Sequence, residues 1–290
     1  MSSLPFTKMH GAGNDFVVLD GLRHDLPPLE SLATRLAHRN FGVGFDQLLV
    51  VRPSTEQVAD FRMEIFNADG SQVEMCANGI RCFFRYLREA GHTTADSLRV
   101  ETLSGVVVPR WAGDGRVSVD MGPPILAPAK VPTTLRASDG EAPALDLPLD
   151  VAGSTVRVSA ISMGNPHAVV FVDDVDAAPV EELGPRVEHS PAFPNRVNVE
   201  FVEVVDRARV RQRTWERGTG ETLACGSGAC ATAVASILLG HVDEAVTVEL
   251  RGGELEIRWA GRSEPAGSES VWMTGPTATV FTGEIPLEEG

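Results

Sequence analysis

Two stretches of the chain share one hydrophobic pattern, in which an apolar run follows a cysteine and ends at a glycine. The first stretch is EMCANGIRCFFRYLREAG at 74–91, and the second is LACGSGACATAVASILLG at 223–240. In the first stretch apolar residues recur at helical spacing: Ile80, Phe83, Phe84 and Leu87. Three arginines are expected on the other side of this helix: Arg81, Arg85 and Arg88. Each stretch therefore predicts a helix that begins close to a cysteine, Cys76 or Cys225.

Most other segments alternate between apolar and polar residues, which is typical of half-buried strands. Residues 5–20, PFTKMHGAGNDFVVLD, predict a strand, a glycine-rich loop and a second strand. Phe61, Met63 and Ile65 mark a further strand over 60–66. The other segments used below are a helix at 29–40, a proline-rich linker and loop at 122–148, a helix at 180–189, a polar loop at 262–270 and a single last strand, SVWMTGPTATVFTG.

The two halves of the chain match at more than the cysteines. Four pairs of positions share their local context: Gly13-Asn14 with Gly164-Asn165, Gln47 with Asn198, Asn67 with Glu216, and Cys76 with Cys225. The first two pairs are 151 positions apart and the cysteines are 149 apart, so the register drifts by two residues. Such a duplication predicts two similar domains related by a pseudo-twofold axis, with an active site in the cleft between them.

Composition narrows the class of protein. A length of 290 residues fits two domains, and we place the boundary at the start of the proline-rich segment. The net charge of −15 argues against a nucleic-acid partner. No apolar run is long enough to span a membrane, and the N-terminus lacks the pattern of a secretion signal. A soluble, cytoplasmic protein is therefore expected.

The sequence offers few candidate residues for binding a metal or a cofactor. Four cysteines are too few for a disulfide scaffold, and their spacing is not that of a zinc site. Only Lys8 and Lys130 are lysines, against 23 arginines, which leaves few candidates for a pyridoxal phosphate Schiff base. No metal is expected.

A cysteine at a helix N-terminus is suited to acid-base chemistry. The positive end of the helix dipole lowers the thiol pKa, and the first backbone N–H groups hold an anion. Two such helices would place two thiols around a carboxylate bound by the amides of Ala77 and Asn78 in one half and of Gly226 and Ser227 in the other. This arrangement can remove a proton from one face of a carbon and return one to the opposite face.

An additional group near each sulfur would keep one cysteine as a thiolate while the other is a thiol. His167 and Glu216 are the candidates for this role. By contrast, Cys82 and Cys230 fall inside the predicted helices and are interpreted as packing residues.

Five segments in the same order along the chain resemble diaminopimelate epimerases. They are HGAGNDF at 10–16, EMCANGIRC at 74–82, MGNPH at 163–167, RVNVEF at 196–201 and ERGTGETLACGSGA at 216–229. The resemblance implies an α/β fold (mixed α+β) with two pseudo-symmetric domains, each a strongly curved, mostly antiparallel sheet wrapped around a central helix. It also implies that the last strand, from about Val271, returns to the first domain. The domains are then 1–124 plus about 271–290, and 125–270.

The resemblance further implies a cofactor-independent isomerase that interconverts LL- and meso-diaminopimelate for lysine and peptidoglycan synthesis. Its catalytic cysteines match Cys76 and Cys225, and the residues that assist their proton balance match His167 and Glu216. The positions that match its substrate pocket are Asn14, Gln47, Asn67, Asn165, Asn198, Glu216 and Arg217. Arg217 suits the distal carboxylate of the substrate, because its planar guanidinium can donate two parallel hydrogen bonds. A homodimer is compatible with the sequence.

One position departs from the family pattern. The residue after the first cysteine is typically glycine there, and it is Ala77 in this chain. Alanine fits a helical backbone, so the amide is kept, while the methyl narrows the space beside the carboxylate and leaves the substrate preference open.

Two other functions remain open at this point. A proline or hydroxyproline racemase has the same fold and two cysteines, but it would not need the polar pocket for the distal end of the substrate. A thiol redox protein would instead join Cys76 and Cys225 in a reversible disulfide.

Overall fold

The structure is a computed structural model, and it describes residues 3–138, 140, 142–151, 153–261 and 267–286. Part of the predicted polar loop at 262–270 lies outside the described residues. The helices in the described ranges are α1 (Leu29–Ala37), α2 (Ala77–Glu89), α3 (Val180–Glu188) and α4 (Gly226–Leu238). None of these helices has the length and apolar character needed to cross a membrane.

The strands of the described ranges fall into two groups along the chain. The first eight are β1 (Ser3–Gly11), β2 (Asn14–Asp20), β3 (Gln47–Arg52), β4 (Phe61–Asn67), β5 (Val100–Thr102), β6 (Gly105–Val107), β7 (Arg110–Gly113) and β8 (Arg116–Asp120). The remaining strands are β9 (Leu147–Val151), β10 (Ser154–Ser162), β11 (Pro166–Phe171), β12 (Asn198–Asp206), β13 (Arg209–Glu216), β14 (Gly220–Thr222), β15 (Ala245–Leu250), β16 (Gly253–Arg258), β17 (Trp272–Pro276) and β18 (Ala278–Pro286).

The chain divides into two compact units. Unit 1 comprises residues 1–119 and 274–290, and unit 2 comprises residues 120–273. Unit 1 is therefore built from both ends of the chain, whereas unit 2 is one continuous segment. The domain boundaries given above, after residue 124 and near Val271, stay a prediction.

Unit 1 is a seven-stranded mixed sheet with one helix on each face. Its strand order is β18-β1-β2-β3-β4-β5-β6, with parallel pairs at β2–β3 and β4–β5. Helix α1 packs its apolar side on the face that carries Leu48 and Val50. Helix α2 lies on the other face, where its Gly79 meets Leu49. Adjacent residues of a strand point to opposite faces, so this one strand contributes to both layers.

Unit 2 repeats this arrangement. Its strands follow the order β16-β15-β13-β12-β11-β10-β9, and the short β14 pairs with β13. The apolar cluster beside α3 contains Val199 and Phe201 of β12. Glu200, which lies between them in the sequence, faces α4 at Gly228. The fold is therefore a mixed α/β fold with two repeated halves, as the sequence predicted.

Strand pairing locates the two-residue drift between the repeats. Phe16 pairs with Gln47 in parallel, and His167 pairs with Asn198 in the same way, so the offset of 151 holds through these strands. The hairpin that follows spans 20 positions from Gln47 to its partner Asn67, but only 18 from Asn198 to Glu216. The difference lies in the β12–β13 turn, which Arg207 and Ala208 form.

Some predicted segments differ from the structure. Helix α1 ends at Ala37 and not at residue 40, because the chain turns back and the N–H groups of Val43 and Gly44 both donate to Leu36 O. The single last strand is instead two strands, since the backbone of Thr277 leaves the ladder to donate to Gly115 O (2.9 Å).

Two further predictions placed residues at the surface that are buried. Arg81, expected on the outer side of α2, is fully buried and donates to Asn78 Oδ1 (2.7 Å) and Ala77 O (3.3 Å). The proline-rich segment at 122–148 is not a simple linker, because its Val131 and Ala144 are fully buried in the core of unit 2.

Candidate active site

Cys76 forms the N-cap of α2. Its backbone is extended, and its Sγ accepts a hydrogen bond from the backbone N–H of Gly79 (3.3 Å). Serine or threonine usually makes this bond, and a sulfur in the same place lies at the positive end of the helix. The sequence predicted that a helix begins close to Cys76, and α2 begins at Ala77. Ala77 therefore has the helical backbone that alanine accommodates.

Asn14 lies beside this cysteine. Its Oδ1 is 3.8 Å from Cys76 Sγ and accepts from Asn78 Nδ2 (3.3 Å), while its Nδ2 donates to Asp46 Oδ2 (2.8 Å). The structure thus brings together three sequence-predicted residues, Asn14, Cys76 and Asn78. It also adds Asp46, which the sequence analysis missed.

Gln47 and Asn67 lie opposite each other on β3 and β4. Gln47 Nε2 donates to Asn67 Oδ1 (3.0 Å), and Asn67 Nδ2 donates to Ser71 Oγ (3.0 Å). Gln47 Oε1 is buried and has no hydrogen-bond partner within the described ranges. A buried acceptor without a partner is unfavourable, so this oxygen is a candidate for binding a donor group of a substrate.

Cys225 forms the N-cap of α4 in the same way. Its Sγ accepts from the backbone N–H of Gly228 (3.4 Å) and lies 3.6 Å from Ser227 Oγ. Burial raises the pKa of the Cys225 thiol well above its ordinary value, and the nearby carboxylates of Glu216 and Glu200 raise it further. This environment favours the thiol form of Cys225 over the thiolate.

His167 is fully buried between two partners. Its Nδ1 lies 2.8 Å from Glu200 Oε1, and its Nε2 lies 3.1 Å from Asn165 Oδ1. Asn165 was predicted as a site residue and Glu200 was not. Glu200 stands in the strand RVNVEFV at a position with the same parity as Asn198, and this was the available signal that it shares the face of a site residue.

Asn198, Glu216 and Arg217 form a third group in unit 2. Asn198 is buried, donates through Nδ2 to Pro166 O (3.1 Å) and accepts at Oδ1 from the backbone N–H of Arg217 (2.9 Å). Glu216 Oε1 accepts from Thr222 Oγ1 (2.6 Å). The Arg217 side chain is exposed and donates to Asn195 O (3.1 Å), so its guanidinium lies at the surface of the unit.

The two remaining cysteines have the structural role that was expected of them. Cys82 and Cys230 are fully buried within α2 and α4. Burial raises the pKa of the Cys82 thiol to about 12. Such a thiol stays protonated at neutral pH and does not act as a base.

Solved structures of low sequence identity share the fold. A hydroxyproline epimerase from Agrobacterium vitis, solved with bound trans-4-hydroxy-L-proline, is 18% identical with a TM-score of 0.69, covering 99% of this chain and 93% of its own. A PhzF-family phenazine biosynthesis protein from Bacillus anthracis is 17% identical with a TM-score of 0.71, covering 99% of this chain and 100% of its own. These likenesses show the fold, in which this chain places a cysteine at the start of each central helix.

Sequence comparison narrows the assignment from this fold to one family. The diaminopimelate epimerase family model matches residues 6–127 and 159–280, one segment in each half. The diaminopimelate epimerase of Aromatoleum aromaticum is 54% identical over 286 residues, covering 99% of this chain and 100% of the relative. That of Ectopseudomonas mendocina is 52% identical over 284 residues, covering 98% and 99%. The chain belongs to the diaminopimelate epimerase family.

Proposed function

We propose that this chain epimerises LL-diaminopimelate to meso-diaminopimelate, for lysine and peptidoglycan synthesis, with Cys76 and Cys225 as the two acid-base groups and no cofactor. The observation that carries the proposal is the pair of matching N-cap cysteines, one in each repeat, in a member of this family. Inversion by deprotonation needs a base on one face of the α-carbon and an acid on the other, because a single group would return the proton to its original face.

The proton balance of the reaction is simple. The thiolate of one cysteine takes the α-hydrogen as a proton and becomes a thiol, which leaves a carbanion next to the substrate carboxylate. The thiol of the other cysteine then gives its proton to the opposite face of that carbon and becomes a thiolate. The proposal requires that both sulfurs reach the same carbon. The enzyme ends with its proton on the other cysteine, so the reverse reaction uses the same two groups with exchanged roles.

Backbone N–H groups at the two helix starts are proposed to stabilise the carbanion. The amides of Ala77 and Asn78 and those of Gly226 and Ser227 bind the carboxylate that gains negative charge as the α-proton leaves. Such groups act most strongly in the transition state, when the charge develops.

Polar side chains are proposed to line the substrate pocket and to hold both ends of the substrate. We assign this role to Asn14, Gln47, Asn67, Asn165, Asn198, Glu216 and Arg217. Gln47 Oε1, which has no hydrogen-bond partner among the described residues, is suited to accept from an ammonium group. The Arg217 guanidinium is suited to bind the distal carboxylate. A substrate that lacks these groups would leave such polar atoms unpaired, which disfavours its binding strongly.

His167 and Glu216 are proposed to set the proton balance of the cysteines. Glu216 raises the pKa of the Cys225 thiol, after the larger effect of burial, and so favours the protonated form of this residue. His167 lies between Asn165 and Glu200, on the same side of the sheet as α4.

Isotope exchange tests the proposed function. The purified chain is incubated in deuterated water with LL-diaminopimelate or with L-proline, and deuterium at the α-carbon is measured by proton NMR. Incorporation into diaminopimelate together with formation of the meso isomer is expected. Exchange with proline alone would refute the proposal in favour of a proline racemase.

Alanine variants assign the role of the thiols. Cys76→Ala and Cys225→Ala are each expected to lower the epimerisation rate by about 10²- to 10⁴-fold, the usual contribution of a general acid or base. Cys82→Ala and Cys230→Ala are matched controls in the same helices and should keep most of the activity. Full activity in the Cys76→Ala and Cys225→Ala variants would exclude catalysis by these thiols.

Location and assembly are further proposals. We place the enzyme in the cytoplasm because its proposed substrate is a biosynthetic intermediate, and we expect no nucleic-acid partner. We also propose a homodimer, because β18 is the edge strand of the described sheet of unit 1 and exposes Val280 and Phe281. Sedimentation of the wild type and of Phe281→Asp tests this, with a monomeric wild type as the contrary result.

A further inference from the structure

The layer between the sheet and the central helix differs in polarity between the two repeats. In unit 1 it contains six apolar side chains: Phe16, Leu49, Met63, Ile65, Phe83 and Leu87. At the equivalent positions of unit 2 it contains six polar side chains: His167, Glu200, Gln212, Thr214, Thr232 and Ser236. All twelve are at most 2% exposed. We call the second set the polar track.

Strand register and helix position establish the equivalence. Leu49 pairs with Ile65 across β3 and β4, and Glu200 pairs with Thr214 across β12 and β13. Met63 lies two residues before Ile65 in β4, and Gln212 lies two residues before Thr214 in β13. In the helices, Phe83 and Thr232 each stand seven residues after the N-cap cysteine, and Leu87 and Ser236 eleven. The two repeats therefore have the same fold with either an apolar or a polar set of side chains between the sheet and the central helix.

Four atoms of the polar track have no hydrogen-bond partner within the described part of the chain. They are Glu200 Oε2, Gln212 Oε1, Thr232 Oγ1 and Ser236 Oγ. Within the track, Gln212 Nε2 donates to Thr214 Oγ1 (2.8 Å). Buried polar atoms without a protein partner are normally satisfied by ordered water, which needs a polar and roomy site. Threonine and serine in place of phenylalanine and leucine provide both the polarity and the room.

The polar track begins directly behind Cys225. A Cβ on Gly228 would lie 2.6 Å from Glu200 Oε1 and 3.2 Å from Cys225 Sγ, so the carboxylate and the thiol both border this one residue. The Gly228 N–H donates to the sulfur. In unit 1 the same place beside Gly79 is occupied by Leu49 Cδ2, at 3.2 Å from the equivalent point.

The Glu200 carboxyl group is held at Oε1, which lies 2.8 Å from His167 Nδ1. The other ring nitrogen, Nε2, lies 3.1 Å from Asn165 Oδ1. Water in the polar track would give Glu200 Oε2 a hydrogen-bond partner, which lowers the free-energy cost of burying this group.

We propose that the polar track is a buried water site, and that within it Glu200 is a positioning residue that keeps Cys225 in its thiol form before the reaction. The titratable groups that face Glu200 and Cys225 are His167 from β11 and Glu216 from β13. The carboxylate of Glu200 disfavours a second negative charge on the adjacent sulfur. At the equivalent position beside Gly79, unit 1 places the apolar side chain of Leu49. The inference deepens the proposed function, because it names a residue that acts on the protonation of Cys225.

The replacement Glu200→Gln tests the charge effect. The ultraviolet absorbance of the thiolate is titrated for each protein and for the same protein with Cys225→Ala, and the difference reports Cys225 alone. Loss of the carboxylate is expected to move the Cys225 titration to lower pH by about 1 unit, as for removal of a neighbouring like charge. The pH profile of kcat/KM should move in the same direction. The matched control is Glu203→Gln, on the same strand, whose carboxylate instead accepts from the Val175 N–H and Arg211. It should shift neither curve.

A titration of Glu200→Gln that coincides with that of Glu203→Gln would overturn the charge effect. If Glu200→Gln does not fold, the double variant His167→Phe with Glu200→Leu, which installs the apolar pair of unit 1, takes its place and should show the same shift. Because the thiolate titration needs no substrate, it distinguishes this inference from the proposed function, which stands or falls on isotope exchange by the wild type.

A crystal structure of the wild-type chain tests the hydration. Ordered water within hydrogen-bond distance of Glu200 Oε2 and Thr232 Oγ1 is expected. The double variant Thr232→Val with Ser236→Ala should lose the water near α4 while it keeps the His167–Glu200 pair. A dry track in the wild type, with its polar atoms paired to each other, would overturn the proposal of a water site.

Discussion

Gly228 allows the sharpest test of the packing behind the second cysteine. In Gly228→Ala the new methyl would stand 2.6 Å from Glu200 Oε1 and 3.2 Å from Cys225 Sγ. The carboxylate is fully buried and bound to His167, so it cannot move aside without losing that hydrogen bond. Overpacking costs about 1–3 kcal/mol and a weakened buried hydrogen bond about 1–3 kcal/mol, while alanine in a helix gains about 1 kcal/mol over glycine. We expect a net loss of about 1–5 kcal/mol in the free energy of unfolding.

The equivalent glycine of unit 1 is the control. In Gly79→Ala the methyl would meet Leu49 Cδ2 and Cys76 Cβ at 3.2 Å each, and the apolar leucine can yield by a few tenths of an ångström. The gain in helix propensity then offsets most of the crowding, so a change within about 1 kcal/mol is expected. Urea unfolding of the wild type and both variants measures the difference. Equal midpoints for the two variants would refute the reasoning that a fixed carboxylate occupies the space at Gly228.

Two further predictions concern residues close to Asn14. Asp46→Ala removes the carboxylate that holds the Asn14 amide at 2.8 Å, so we expect KM for diaminopimelate to rise about fivefold, the value of one hydrogen bond of about 1 kcal/mol. Steady-state kinetics measure this rise, and an unchanged KM would contradict the role of Asp46. Burial would raise the pKa of Asp15, but hydrogen bonds from Arg39 and Lys8 and their charges lower it from 3.8 to about 2. Asp15 thus stabilises the fold above its unfolded pKa and loses this contribution as pH falls from about 4 to about 2. In Lys8→Met the unfolding free energy should fall less steeply over that range, and identical slopes in acid urea titrations would argue against the pairing.

The sequence contained enough information for the repeat and for the helices and strands that carry most of the candidate site residues. Cysteine, glycine and an apolar helix recur in both halves, and local periodicity identifies such elements well. The strands that begin at Asn14, Gln47 and Asn198 were predictable for the same reason. The family resemblance agrees with the family model, which matches a segment in each half.

The sequence did not reveal which groups two of the buried side chains contact. Arg81 was expected on the outer side of α2 because charged residues usually are, but it is buried against Asn78 and Ala77 at the start of its own helix. In the sequence Glu200 is one of several polar residues of a strand. The structure shows that its Oε1 lies 2.8 Å from Nδ1 of His167, which is 33 positions earlier in the chain. Periodicity gives the face on which a side chain lies and says nothing about which group meets it there.

The order in which the two units can fold during synthesis follows from the fact that unit 1 contains both ends of the chain. Strand β1 is paired along its length with β18, from Ser3 with Pro286 to His10 with Ala278. During synthesis β1 therefore remains an unpaired edge of its sheet until the ribosome has made β18, near the end of the chain. Unit 2, which needs only residues 120–273, is complete earlier although it begins later. Because domains generally fold as units during synthesis, the half that starts second is the first that can finish folding. A chain that ends before β18 would then release a completed second half attached to a sheet with an open edge, a form prone to aggregation.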